Sequence, residues 1–420
     1  MCSSDLNGEM CSGCSSGMSL RGVALPELKV FTAKRMRLGS SDIALRPLLS
    51  TMPVGSRRSS SASWNPSWTV SMSRHRPLAP VVGCALPRPG AVRALLGQAG
   101  AGGQLDAAIR DAVALQENAG IDILTDGEWR RASYIGVIAE LAHGFEVGAN
   151  PADGRPWTIV VDKLAPMNPG FIAAEVRYLK TITNRRIKAT LPAPALLGER
   201  MWSAEKSIAA YPTRDSFVAD CVPILRREVE LLREEGVAVV QIDDPHLCLF
   251  VDPEVRANYD HPDRAADFSV DMVNQIVEGF GDIKIAVHLC RRAGARARGE
   301  ATHAGGYTPI LGQLNRLKVN HLTMEFTTPA AGDMAVFKHL REDLEIGLGC
   351  VSCDPGQVDS ADEIVARVET ALQYLAPTRI TLNPDCGFAP GSAAKVSLGE
   401  VATKLKNEVE AARRLREKYS

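Results

Sequence analysis

Eight short runs of β-branched and aliphatic residues, separated by amphipathic stretches, constrain the fold of residues 80–420 more than any other feature. The runs are Val81-Val82-Gly83-Cys84, residues 121–125, 187–191, 237–242, 283–287, 321–324, 344–348 and Arg379-Ile380-Thr381-Leu382. Between them apolar residues recur at three- and four-residue intervals, most clearly over 104–118, 215–235, 262–279, 360–375 and 393–418, which is helical periodicity. Strand alternating with helix predicts a parallel sheet, and eight such units is the count of a (β/α)8 TIM barrel. A doubly wound open sheet is the competing arrangement. The barrel is favoured because Glu128, Asp243, His288, Cys290, Glu325 and Cys386 fall at or just past the C-terminal ends of different strands. In a barrel those ends converge on one mouth, which is where the active site is expected; in an open sheet they spread along an edge. Residues 143–185 read as a long excursion between the second and third strands, of the kind that shapes the substrate side.

The residues at the strand ends suggest a metal. His288 and Cys290 stand at i and i+2 of Val287-His288-Leu289-Cys290, so on a strand they share one face. Glu325 lies between Met324 and Phe326 on a run expected to be buried, where an uncompensated carboxylate is costly. Together with Cys386 in Asn383-Pro384-Asp385-Cys386-Gly387, they make a complete tetrahedral zinc set. Taken singly, Glu325 is an ordinary strand-end acid and Cys386 a small buried hydrophobe. A second His-x-Cys, His246-Leu247-Cys248, follows Pro245 in an expected loop and is given no ligand role. Two thiolates, a carboxylate and a neutral imidazole leave a zinc site with net charge of about −1. Such a site suits holding a thiol as thiolate better than making hydroxide.

Composition narrows the class. The chain has 420 residues, 45% of them hydrophobic, and a net charge of −1. Residues 1–79 hold ten Lys/Arg against four Asp/Glu, an excess of six, so residues 80–420 carry −7. A mildly acidic body argues against nucleic acid as a partner, and no run is long and apolar enough to span a membrane. Ten irregularly spaced cysteines in so long a chain fit a reducing, cytoplasmic setting rather than a disulfide framework. Cys11-Ser12-Gly13-Cys14 and Cys350-Val351-Ser352-Cys353 are CxxC pairs open to metal or redox readings. Residues 1–79, with seventeen Ser and no hydrophobic period, are expected to be a disordered or non-native extension, with Met72 an alternative start. The other reading is an Arg/Ser-rich transit peptide.

Thr125-Asp126-Gly127-Glu128, Gln241-Ile242-Asp243-Asp244-Pro245, His288-Leu289-Cys290, Glu325 and Asn383-Pro384-Asp385-Cys386-Gly387 together resemble the catalytic barrel of the cobalamin-independent methionine synthase family. That family lies within the wider superfamily that includes uroporphyrinogen decarboxylase. The resemblance spans roughly residues 80–418. It implies that His288, Cys290, Glu325 and Cys386 bind zinc and that Glu128 and Asp243 hold the substrate amino group. It further implies methyl transfer from 5-methyltetrahydropteroyl-glutamate to homocysteine. Three departures stand out: residues 1–79 cannot supply the second barrel of the full-length synthases, Asp354 stands where the family has a proton-donating His, and Arg291-Arg292 open an insert ending His303-Ala304-Gly305-Gly306-Tyr307. That insert is similar to single-barrel relatives such as the epoxyalkane–coenzyme M transferases.

Three expectations follow: a zinc-dependent methyltransferase making methionine, an alkyltransferase for another thiol with an epoxide or corrinoid-linked donor, whose sulfonate or phosphate Arg291 and Arg292 would pair, or a catalytically inactive zinc-binding relative. The partners are a small thiol and a methyl donor; the oligomeric state is left open.

Overall fold

A computed structural model of the chain describes residues 77–151, 156–291, 303–388 and 396–419. Each of the eight runs contributes to one parallel sheet: β1 (Ala79–Pro80), β2 (Ile123–Leu124), β5 (Arg186–Pro192), β6 (Val239–Asp243), β7 (Lys284–Leu289), β8 (His321–Glu325), β9 (Glu345–Val351) and β10 (Ile380–Pro384). Their order is β1-β10-β9-β8-β7-β6-β5-β2, and a parallel bridge between Val81 and Ile123 joins the two ends. The sheet is therefore a (β/α)8 barrel, as the strand count requires. β1 is two residues long and starts earlier than its apolar run, because past Val81 the chain leaves the ladder to pack against the loop after β10. The extension proposed for residues 1–79 lies outside the described residues, as do Cys11, Cys14 and Met72, except that Pro77, Leu78 and Ala79 already belong to the barrel.

The helices that feed the barrel match the periodic stretches, among them Gly102–Ala119, Arg214–Glu234, Pro262–Val277 and Ala361–Ala371. The helix Leu398–Tyr419 seals the short first strand. Glu408 Oε1 accepts the Val81 amide at 3.1 Å, and Arg416 reaches the Pro77 carbonyl and Asp122. Inside the barrel, Val81, Ile123, Val239 and Ala286 form a small apolar plug. Next to it lies a polar layer in which Lys188 Nζ donates to the Val82 carbonyl at 2.7 Å and to Gln241 Oε1 at 3.1 Å. Without such partners a buried ammonium costs several kcal/mol.

The excursion between β2 and β5 is an antiparallel hairpin, β3 (Ala142–Ala149) with β4 (Pro156–Pro166), followed by the helix Phe171–Ile182. Glu175 on that helix grips Arg131 through both carboxylate oxygens, at 2.6–3.2 Å, while Arg131 Nη1 donates to the carbonyl and hydroxyl of Thr190 on β5. The insertion is thus tied to a strand end beside the mouth. No described helix is long and apolar enough to cross a membrane.

Candidate metal centre

Parallel register sets the depth of the donors. Asp243 pairs with His288 and His288 with Thr323, so Glu325, two residues further along β8, comes level with Cys290, two residues past His288. The donor atoms of His288, Cys290, Glu325 and Cys386 all lie within 4.8 Å of one another. The two sulfurs are 3.5 Å apart. That is too long for a disulfide and close to the ~3.7 Å expected of two sulfurs bound to one tetrahedral zinc at about 2.3 Å each. Neither ring nitrogen of His288, though buried, meets a hydrogen-bond partner of acceptable geometry among the described residues. The donor set, the spacing and this imidazole all fit a zinc ion.

Backbone contacts hold the ligands from behind. Glu325 Oε1 accepts the Arg291 amide at 2.6 Å, and the Glu325 amide donates to the Tyr307 hydroxyl at 3.0 Å. Asp385 accepts the amides of Phe326 and Thr327 at 3.0 and 3.2 Å, together with the Thr327 hydroxyl, pinning the end of β8 to the residue before Cys386. A β-carbon on Gly349 would come within 2.4 Å of Asp385 Oδ1 and 2.9 Å of the Glu325 Cα, so glycine is what lets these two acids approach. Cys353 Sγ accepts the Cys386 amide at 3.1 Å and donates to its carbonyl at 3.0 Å.

Electrostatically the ring calls for a cation. Burial and then the charges of Cys290 and Asp385 push the Glu325 carboxyl well above its usual range. Contact with Cys290 and Cys84 and burial raise the Cys386 thiol. Burial pulls His288 down, but the thiolates of Cys84 and Cys290 and the Asp243 carboxylate push it up to about 10. A dication reverses each of these penalties.

The lining next to His288 is acidic. Asp243 accepts from Gln241 Nε2 at 2.8 Å, and burial followed by the Cys84 charge raises its pKa. Glu128 accepts the Thr190 hydroxyl at 2.7 Å and lies 3.9 Å from Arg131 Nη1. Its backbone has φ +59°, a left-handed conformation rare for a residue with a side chain. Strain of this kind, about 1–3 kcal/mol, collects at functional sites. Burial raises the Glu128 carboxyl as well. The structure thus gathers Glu128 and Asp243 beside the four donors.

Other candidates fall elsewhere. His246 and Cys248 sit on the short helix Pro245–Leu249, outside the donor cluster. Cys350 and Cys353 are unpaired and buried, with thiols raised by burial, and Cys353 buttresses Cys386. The Arg291 guanidinium does not reach for a substrate anion. It is buried against the Tyr307 ring at 4.5 Å and donates to the carbonyls of His303, Gly305, Ala330 and Ala331. Arg292 lies outside the described residues. Asp354 follows β9, and its carbonyl accepts Lys404 Nζ at 2.7 Å. Sequence reasoning missed Asp385 and Tyr307 as supports, and Cys84 as a further thiol whose sulfur clusters with Asp243 and His288.

The model of the catalytic domain of cobalamin-independent synthases matches residues 93–414. The chain is 29% identical over 277 residues to a methionine synthase of Pyrococcus abyssi, covering 65% of this chain and 72% of that one. It is 25% identical over 296 residues to one from Sulfolobus acidocaldarius, covering 68% and 76%. A B12-independent methionine synthase from a Shewanella species, solved with selenomethionine, shares its fold with a TM-score of 0.66 at 18% identity, over 82% of this chain and 99% of that chain. The chain belongs to the catalytic-domain family of cobalamin-independent synthases.

Proposed function

We propose that this protein is a zinc-dependent methyltransferase that converts homocysteine to methionine. The observation that carries the reading is a His/Cys/Glu/Cys donor set with buried carboxylates beside it, Asp243 being register-paired with His288. His288, Cys290, Glu325 and Cys386 would hold the zinc. When bound, zinc keeps the acceptor sulfur as a thiolate that remains nucleophilic at neutral pH. Glu128 and Asp243 would receive the substrate ammonium, which satisfies two carboxylates that burial disfavours as anions. Tyr134, 37% exposed and within electrostatic reach of Cys290 and Asp243, would line the route in. A methyltetrahydropteroyl-glutamate is the proposed donor, and Asp354, standing where the family has a proton-donating His, would be the group to protonate the departing nitrogen.

A transferase for a sulfonated thiol of the coenzyme M kind is the weaker reading, because Arg291 is already committed to backbone carbonyls. Calorimetric titration of metal-loaded protein with homocysteine, coenzyme M and folate analogues separates the two. Homocysteine should bind and coenzyme M should not; the reverse result would reject the methionine reading.

A further inference from the structure

Glu128 is aimed by a chain of buried polar side chains, Thr190, Arg131 and Glu175, that reaches back into the insertion. Arg131 Nη1 donates to the Thr190 hydroxyl at 3.0 Å and to its carbonyl at 2.9 Å, while the hydroxyl donates to Glu128 Oε1 at 2.7 Å. A guanidinium only donates and a hydroxyl carries one proton, so the Thr190 proton has to point at Glu128. Oε1 is thereby fixed as an acceptor. Glu128 Oε2 makes no hydrogen bond among the described residues, which leaves it as the oxygen for a ligand. The backbone beneath is pinned as well. The Glu128 amide donates to Asp126 Oδ1 at 2.8 Å, and its carbonyl accepts Arg88 Nη2 at 2.6 Å and the Arg131 amide at 3.2 Å.

Glu175 is what keeps Arg131 off this carboxylate. Arg131 follows Glu128 by three residues, and both are buried, yet its Nη1 stays 3.9 Å from Glu128 Oε1. Glu175, on the helix Phe171–Ile182, takes Nη2 at 2.6 Å and Nε at 3.1 and 3.2 Å instead, the bidentate geometry in which an Arg–carboxylate pair is strongest. Resting on the ammonium role of Glu128 proposed above, we infer that the Glu175–Arg131–Thr190 chain is a positioning device that makes the site selective for amino-acid thiols: it orients Glu128 without neutralising it. Paired directly, Arg131 would stand where the substrate cation has to go. Clamped by Glu175, its charge is matched by a second carboxylate, and only an oriented hydroxyl reaches Glu128. The insertion between β2 and β5 therefore sets specificity through Arg131 and Thr190 rather than by contact with the ligand.

Calorimetry on metal-loaded protein with homocysteine and its des-amino analogue, 4-mercaptobutanoate, reads the device as the ratio of two dissociation constants, in which the contribution of the sulfur cancels. Thr190→Val, close in shape but without the hydroxyl, should lower the preference for homocysteine by about tenfold, near the lower end for a hydrogen bond to a charged group. Thr190→Ser should restore it. Glu175→Gln should lower the preference at least as far, because the guanidinium, released from its carboxylate, turns to Glu128. Adding Thr190→Val to Glu128→Gln should change the ratio no further, since the hydroxyl acts only through that carboxylate. General loosening of the site would weaken both thiols alike and leave the ratio unmoved. A wild-type ratio in Thr190→Val, or in Glu175→Gln should the valine variant not fold, would overturn the inference, and so would a serine variant that fails to restore it. In either case a lowered ratio in Glu128→Gln keeps the ammonium role standing. A Glu128→Gln ratio equal to that of wild type would overturn both.

Discussion

The two walls of the mouth are built in opposite ways. On the metal wall the four donors come from strand ends whose backbones are tied together by Asp385, Tyr307, Arg291 and Cys353. On the acidic wall Glu128 sits on a left-handed backbone, and its salt bridge to Arg131 is long, at 3.9 Å, because Arg131 binds Glu175 more closely. One wall is preorganised by hydrogen bonds. The other holds buried carboxylates whose cationic partner, for Glu128, stands at the long distance of 3.9 Å. The difference teaches that rigidity belongs where geometry selects the ligand, and unmet charge where the ligand itself supplies the counterion.

The largest expected effect tests the metal wall. Zinc binding of roughly 12 kcal/mol shared among four ligands is about 3 kcal/mol each, so Cys290→Ser and Cys386→Ser should each weaken zinc by more than about a hundredfold. Metal analysis after dialysis against a competing chelator reads this out, and unchanged zinc in both variants would remove the assignment.

The acidic wall comes next. Losing one buried charge-assisted contact costs on the order of 2–3 kcal/mol, or about thirty- to a hundredfold in affinity. Asp243→Asn and Glu128→Gln should lose that much for homocysteine and little for its des-amino analogue. Equal losses for the two thiols would show that the carboxylates do not anchor an ammonium.

These effects also mark what was legible in the sequence. The strands could be read because each is a compact β-branched run, and the metal wall because His288 and Cys290 stand two residues apart at the end of one run and Glu325 interrupts an apolar one. The supports could not. Asp385 acts through backbone amides of Phe326 and Thr327, 58 or 59 residues away, and no local pattern announces such a pairing. Cys84 ended an apolar run as a small hydrophobe would, and its partner Asp243 is 159 residues distant. The hairpin β3–β4 escaped because its strands carry Gly and Lys and are half exposed, so their alternation is weak.

A smaller effect sharpens the view of Asp385. Asp385→Asn keeps an acceptor for the two amides but loses the charge, so zinc affinity should fall by about tenfold, the lower end for an outer partner of a metal ligand. Chelator competition measures it, and a loss as large as that of Cys386→Ser would mean that the loop itself had collapsed.

The smallest effect concerns pH. Burial raises the folded pKa of Glu128 above its ordinary value of 4.5. The stability this group contributes is therefore complete below about pH 4.5 and is lost as pH rises through the raised value. Glu128→Gln should melt together with wild type near pH 4.5 and a few degrees above it at pH 8. A variant less stable than wild type at pH 8 would show that the carboxylate is fully compensated without substrate.

Arg291 has one more consequence. Its amide holds Glu325 while its guanidinium holds the carbonyls of Gly305, Ala330 and Ala331, which lie on two separate loops. It acts as a tie rod between the floor of the mouth and its rim. Neither loop can swing away from the guanidinium without pulling on the backbone amide that holds Glu325, so the rim and the donor cluster are mechanically one unit.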